Sequence, residues 1–199
     1  GYEALANLLW VMDIDFDIIK NLLNLPEDCQ SEEIKCPLIK MLSAAAKRDI
    51  SVPELPKYLR EWLISDSKIV QKSAIESLIF LGNGEKRYLA DDFFNELLHE
   101  ISQPGVAASL SAFPIWYIKD HIQLITDEIF RVLNDPESLI LTKTALFESI
   151  KRIAQYTQID KIVQMLDIGL NDRTTTKRGD EGSAVRATAL KTLQLLLPN

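Results

Sequence analysis

Val70-Gln71-Lys72-Ser73-Ala74 places a branched apolar residue four positions before a small one, with a serine just ahead of the second. On a helix those outer positions share a face. The pattern, with alanine or leucine in last place and Ser or Thr before it, returns at Val106-Ala107-Ala108-Ser109-Leu110, Leu141-Thr142-Lys143-Thr144-Ala145 and Val185-Arg186-Ala187-Thr188-Ala189, with a weaker form at Ile34-Lys35-Cys36-Pro37-Leu38. The start positions 34, 70, 106, 141 and 185 are separated by 36, 36, 35 and 44 residues. A repeat of this length containing helical periodicity predicts helix pairs that bury their faces by stacking on neighbours.

Between these segments lie helices with their own apolar faces. Leu89, Phe93, Phe94, Leu97, Leu98 and Ile101 share one, as do Ile122, Ile125, Ile129, Phe130 and Leu133, and Ile159, Ile162, Val163, Leu166 and Leu170. No convincing run alternates with period two between hairpin turns, so the fold class is all-α. The expected first helices are 15–25, 53–64, 89–101, 121–133 and 159–170. The expected second helices are 34–47, 68–81, 106–117, 138–155 and 183–197. Residues 3–11 read as the second helix of a preceding pair. The chain therefore reads as a single segment of about five stacked pairs, approximately 12–48, 53–81, 88–118, 120–155 and 158–197. Its Gly1-Tyr2 start and its end just after a helix suit a piece of a longer protein.

Turn chemistry fits this division. Ser65-Asp66-Ser67 and Asn134-Asp135-Pro136-Glu137-Ser138 offer N-caps, with Pro136 expected in a first helical turn. Gln103-Pro104-Gly105 breaks the chain before Val106, and Gly82-Asn83-Gly84 closes a helix. Phe113-Pro114-Ile115-Trp116-Tyr117 should kink or end its helix at Pro114 and pack its rings between neighbouring pairs.

Composition excludes several functions. The 199 residues are 47% hydrophobic and 26% charged, as expected for a folded chain. A net charge of −7 argues against a broad nucleic-acid surface. The apolar runs are too short to span a membrane. Cys29 and Cys36, with two distant histidines, make neither a disulfide framework nor a zinc site, and reduced cytosolic thiols are the simplest reading. Asp13-Ile14-Asp15-Phe16-Asp17 begins like a calcium loop, but Ile18 and Asn24 stand where glycine and glutamate would be needed. Gly82-Asn83-Gly84-Glu85-Lys86 lacks the strand and the Gly-Lys-Ser/Thr ending of a phosphate loop. His99 and His121 have no Ser or Cys at a recognisable spacing. No catalytic, metal or cofactor site is expected, and the chain does not read as an enzyme.

One stretch breaks the economy of short connections. Leu170-Asn171-Asp172-Arg173-Thr174-Thr175-Thr176-Lys177-Arg178-Gly179-Asp180-Glu181-Gly182-Ser183-Ala184-Val185-Arg186 adds 8 or 9 residues to the last step. Gly179 and Gly182 allow a tight approach to the following helix, Ser183 or Asp180 can cap it, and Arg186 can pair with an acidic turn residue. The Asn171–Arg178 half buries no apolar side chain, so folding alone does not account for it. Asp172, Arg173, Thr174, Thr175, Thr176, Lys177 and Arg178 are accordingly the candidate partner-binding residues.

Arg178, Gly179, Asp180, Gly182, Ser183, Val185 and Arg186 resemble a motif of the tubulin-specific chaperone D family, also called tubulin-folding cofactor D. In that family an acidic, threonine-containing loop leads through Arg-Gly-Asp-Val-Gly-Ser-Trp-Val-Arg into a HEAT helix. Asp172 also fits the approach, while Arg173, Glu181 and Ala184 replace the family's Tyr, Val and Trp, as in a divergent member. The resemblance implies an internal segment of a cytoplasmic, cytoskeleton-associated HEAT-repeat chaperone. Its partners would be β-tubulin, the other tubulin cofactors and an Arf-like small GTPase, with no nucleic acid and no membrane. The family's part in GTP hydrolysis acts on tubulin within a cofactor complex, which keeps this segment non-catalytic. A generic HEAT adaptor of the transport-receptor or phosphatase-scaffold type would share the fold without the motif.

Overall fold

The computed structural model describes residues 31–48, 51–82, 86–176 and 179–197. The helices expected at 3–11 and 15–25, the Asp13–Asp17 run, Cys29, most of the Gly82–Gly84 turn, Lys177 and Arg178 lie outside the described residues. The chain divides into two compact units, Gly1–Ala90 and Asp91–Asn199. The described residues are overwhelmingly helical, with one two-residue strand pair.

In the first unit, α1 (Glu32–Lys47) and α2 (Leu55–Leu63) both pack on α3 (Lys68–Gly82). The amphipathic spacing of α2 buries Leu55, Leu59, Trp62 and Leu63 on one side. Val70 and Ala74 of the quoted segment are buried, with Leu78 and Leu81 continuing their face. Ser67 caps α3 as expected, its hydroxyl oxygen accepting the Val70 N–H at 3.3 Å.

The second unit has two helical layers. One holds α4 (Asp91–His99), α7 (Ile122–Asn134) and α9 (Ile159–Leu170), in contact in that order. The other holds α5 (Pro104–Ser109), α8 (Ile140–Ile153) and α10 (Gly182–Leu196), also in order. α7 and α9 contact α8, and α9 contacts α10. Buried hydroxyls stitch the second layer. Thr142 donates to the Ser102 carbonyl at 2.7 Å and Thr192 to Phe147 at 3.0 Å, while Ser149 shares its proton between Ala145 of its own helix at 3.0 Å and Ala107 at 3.3 Å.

Four expectations need correction. A helix over 106–117 does not form. α5 tightens into a 3-10 turn at Leu110–Ala112, Phe113 and Pro114 are extended (φ −60°, ψ 141° and φ −61°, ψ 143°), and α6 (Ile115–Asp120) starts afresh. Proline disfavours helical geometry in the residue before it and supplies no N–H, so Pro114 splits the element. The aromatics then close mainly within their own predicted pair. Phe94 of α4 meets the rings of Phe113, Trp116 and Tyr117 at centroid distances of 5.1, 5.8 and 4.8 Å, while His121 stacks on Tyr117 at 4.4 Å.

Pro136 does not enter a helix either. It lies in a turn closed by the Ser138 N–H on the Asp135 carbonyl at 3.2 Å, and α8 begins only at Ile140. The repeat register on α8 also shifts by one residue. Leu141 is 59% exposed, whereas Thr142 is fully buried and Leu146 continues its face. The inward positions are therefore 70, 106, 142 and 185, with steps of 36, 36 and 43. The 142 position is read as polar in sequence, but its hydroxyl is satisfied by Ser102.

Candidate functional site

Gly169, near the end of α9, sets the root of the long connection. A Cβ there would stand 2.8 Å from the Cβ of Ala189, so only glycine lets α9 approach α10 this closely. Asn171 ends the helix by donating its side-chain amide to the Asp167 carbonyl and carboxylate, at 3.0 and 2.9 Å. The chain then turns inward.

Asp172 is 8% exposed and meets Lys143 of α8, itself 4% exposed, with Nζ donating to Oδ2 at 3.0 Å. Its Oδ1 accepts the Thr174 N–H at 2.9 Å, and its backbone carbonyl accepts from Arg186 Nη1 at 2.6 Å. Burial pushes the Asp172 carboxyl pKa up, but hydrogen bonds at Thr174 and the Lys143 ammonium outweigh it and hold the group below the ordinary value. The carboxylate expected to reach a partner is thus turned into the protein, because the buried Lys143 charge requires a counter-charge.

The far side of the loop locks onto this core. The Gly182 N–H donates to the Thr174 carbonyl at 2.8 Å. A Cβ on Gly182 would lie 2.8 Å from both the carbonyl and the Oδ1 of Asp172, so the backbone can fit here only as glycine. A short hairpin pairs β1 (Thr175–Thr176) with β2 (Gly179–Asp180), in the register Thr175 to Asp180 and Thr176 to Gly179. Gly179 has φ +118°, a region L side chains rarely enter. Arg186 reaches back to Asp180 with both terminal nitrogens, as the paired fork of guanidinium and carboxylate favours. That pair lowers the Asp180 pKa, chiefly through the Arg186 hydrogen bond, and raises that of Arg186. Val185 is buried at the start of α10.

The structure therefore sorts the expected site residues. Gly179, Asp180, Gly182, Val185 and Arg186 each meet a local structural requirement. Ser183 does not cap α10 through its side chain. It donates to the Asp180 carbonyl at 2.8 Å and helps hold the turn. Asp172, together with Asn171 and the backbone of Thr174, belongs to the same clamp, which corrects for these three residues the expectation that folding leaves Asn171–Arg178 unexplained. Arg173 and Thr175 face solvent, and Thr176 enters through its backbone pairing. Lys143 was missed by sequence reasoning. The only sign in the sequence is a lysine placed beside Thr142 on an otherwise buried helix face.

Elsewhere, His121 Nε2 lies 3.3 Å from Asp91 Oδ2, beside a Tyr117 hydroxyl that donates to Asn95 Oδ1 at 2.7 Å. Burial raises the Tyr117 pKa well above the phenolic range, so it stays neutral. These contacts tie α4 to the start of α7. Cys36 is a free, half-buried thiol. Among the described residues no cluster of three or more His, Cys, Asp or Glu could hold a metal ion, and no helix is long and apolar enough to cross a membrane. No protein-family model, curated protein or solved structure matches the chain.

Proposed function

We propose that this chain is a segment of a HEAT-like solenoid of helix pairs that acts as a non-catalytic protein-binding scaffold. Its partner on this reading is β-tubulin, and its role that of a divergent tubulin-folding cofactor helping to assemble and disassemble the αβ-tubulin heterodimer. The observation that carries the reading is the loop clamp. The positions shared with the cofactor motif include Asp180 and Arg186, which pair with each other, Gly182, which packs against Asp172, and Gly179, whose φ is positive. The 36-residue steps between inward positions and the two layers of the second unit support helix-pair stacking. Stacked pairs present an extended face on which a folded protein docks without chemistry by the scaffold. Arg173 faces solvent and, with Lys177 and Arg178 from the sequence, is the proposed contact with a partner, other cofactors or an Arf-like small GTPase.

The test is capture of purified β-tubulin by the full-length protein at low salt. The intact protein should retain it, and Arg173→Ser with Lys177→Ser and Arg178→Ser should retain less while leaving Asp172 and Gly182 untouched. No retention by the intact protein removes β-tubulin as partner and leaves a generic HEAT adaptor. Equal retention by both forms moves the contact away from the loop.

A further inference from the structure

A cavity of about 290 Å³ opens on the second layer of the Asp91–Asn199 unit. It is lined by Ser111, Glu148, Lys151, Thr188, Lys191, Thr192 and Leu195, from the turn after α5 and from α8 and α10. Three features of the lining define what fits it.

Charge is partitioned between the layers. α8 and α10 carry Lys143, Lys151, Arg152, Arg186 and Lys191 against Glu148 alone. α4, α7 and α9 carry Asp91, Asp92, Glu96, Asp127, Glu128, Asp160 and Asp167 against Arg131 and Lys161. Lys143 and Arg186 are engaged by Asp172 and Asp180, and Arg152 donates to the Phe113 carbonyl, which leaves Lys151 and Lys191 as the lining cations against Glu148. Lys151 and Lys191 are exposed at its walls, and neither has a carboxylate partner among the described residues.

The hydroxyls are already committed as donors. Ser111 donates to the Ala108 carbonyl at 2.8 Å, Thr188 to Ala184 at 2.9 Å and Thr192 to Phe147 at 3.0 Å. Each hydroxyl has one donor and two acceptor sites, so only acceptors remain for a ligand. Acceptors suit the N–H groups of a polypeptide backbone and do nothing for phosphate oxygens. Leu195, 60% exposed, adds an apolar contact at one end.

We infer that this groove binds an acidic, extended peptide segment of a partner protein. The segment's carboxylates pair with Lys151 and Lys191, its backbone N–H groups donate to the Ser111 and Thr188 oxygens, and an apolar side chain rests on Leu195. The lack of aromatic side chains for base stacking disfavours nucleic acid. The inference rests on the scaffold reading, but not on β-tubulin being the partner.

The test is fluorescence anisotropy of the folded chain with a short fluorescein-labelled oligoglutamate peptide containing a central leucine. Binding should be saturable, weaken as salt rises, and fall by about tenfold or more in Lys151→Glu with Lys191→Glu. Lys68→Glu, an exposed charge change in the other unit, should bind like the parent. Both groove lysines are exposed, so the variants should keep the parent circular dichroism and melting curve, and Lys151→Gln with Lys191→Gln provides a milder second pair. Absence of saturable binding, equal binding by the charge-reversed pair, or tighter binding of a single-stranded oligonucleotide or phosphatidylserine vesicles would overturn the inference. Capture of β-tubulin without peptide binding would also overturn it while sparing the scaffold proposal. Peptide binding without β-tubulin capture would support the groove and remove that partner.

Discussion

Asp135 and Asp172 both stand just beyond a helix of the second unit, and they do opposite things. Asp135 finds its partners within three residues: the Glu137 N–H at 2.9 Å, the Ser138 hydroxyl at 3.2 Å and, through its carbonyl, the Ser138 N–H. Asp172 also takes a local N–H, from Thr174, but its other partners are Arg186 and Lys143, 14 and 29 positions away. The first aspartate shapes a turn that the sequence already favours. The second joins two helices and the return of a long loop, and what separates them is a buried lysine. Lys143 makes Asp172 necessary, whereas Asp135 answers only to its own backbone.

The strongest way to break this comparison is to remove the lysine. Lys143→Met leaves the Asp172 carboxylate buried without its counter-charge and should destabilise by about 3–5 kcal/mol, read by urea denaturation. Adding Asp172→Asn to that variant should recover part of the loss, since no unpaired charge then remains. A loss that stays unchanged in the double variant would mean that packing of the lysine stem, and not charge, dominates.

Gly182→Ala tests the clamp from the other side. The new Cβ meets Asp172 and Thr174 backbone atoms that have little room to move, and the expected cost is about 1–3 kcal/mol by thermal melting. A neutral result would show that the loop lifts freely from Asp172.

Acid titration should be gentler and selective. The Asp172 pKa is lowered in the folded state, so its contribution to stability is present above the unfolded value of about 3.9 and fades as pH falls through the folded one. Denaturation midpoints followed from pH 7 to below about 3.9 should drop less steeply for Asp172→Asn than for the parent. Parallel curves would deny the pair its electrostatic role. The smallest change belongs to Asp135→Ala, where losing two exposed or half-exposed turn hydrogen bonds should cost about 1 kcal/mol. A cost as large as that of Lys143→Met would erase the contrast between the two aspartates.

Much of the helical layout is legible along the chain. α3 starts at the expected Lys68, and α9 spans the expected Ile159–Leu170. Leu97, Leu98, Ile125 and Ile129 are buried on the faces their spacing marks. The misplaced details have local causes that composition hides. Thr142 looks like a surface residue until Ser102 supplies its acceptor, so the sequence pattern favours Leu141 as the inward position. Apolar spacing carries the expected helix through to Tyr117, but Pro114 holds Phe113 extended and breaks it. Part of the loop motif was legible too, since Arg186 pairs with the acidic residue of its own turn. The inward turn of Asp172 was not, because Lys143 lies on a different helix.

By itself the sequence determined an all-α chain, the approximate positions of its described helices and a long polar connection before the last of them. Those are consequences of side-chain periodicity and backbone restriction over a few neighbouring residues. The tertiary structure alone decided that Thr142 points inward, that Asp172 serves Lys143, and that Ser111, Lys151 and Lys191 line one groove. Each of these depends on groups from separate elements, whose pairing is set by helix packing and the cost of leaving a buried charge or hydroxyl unsatisfied.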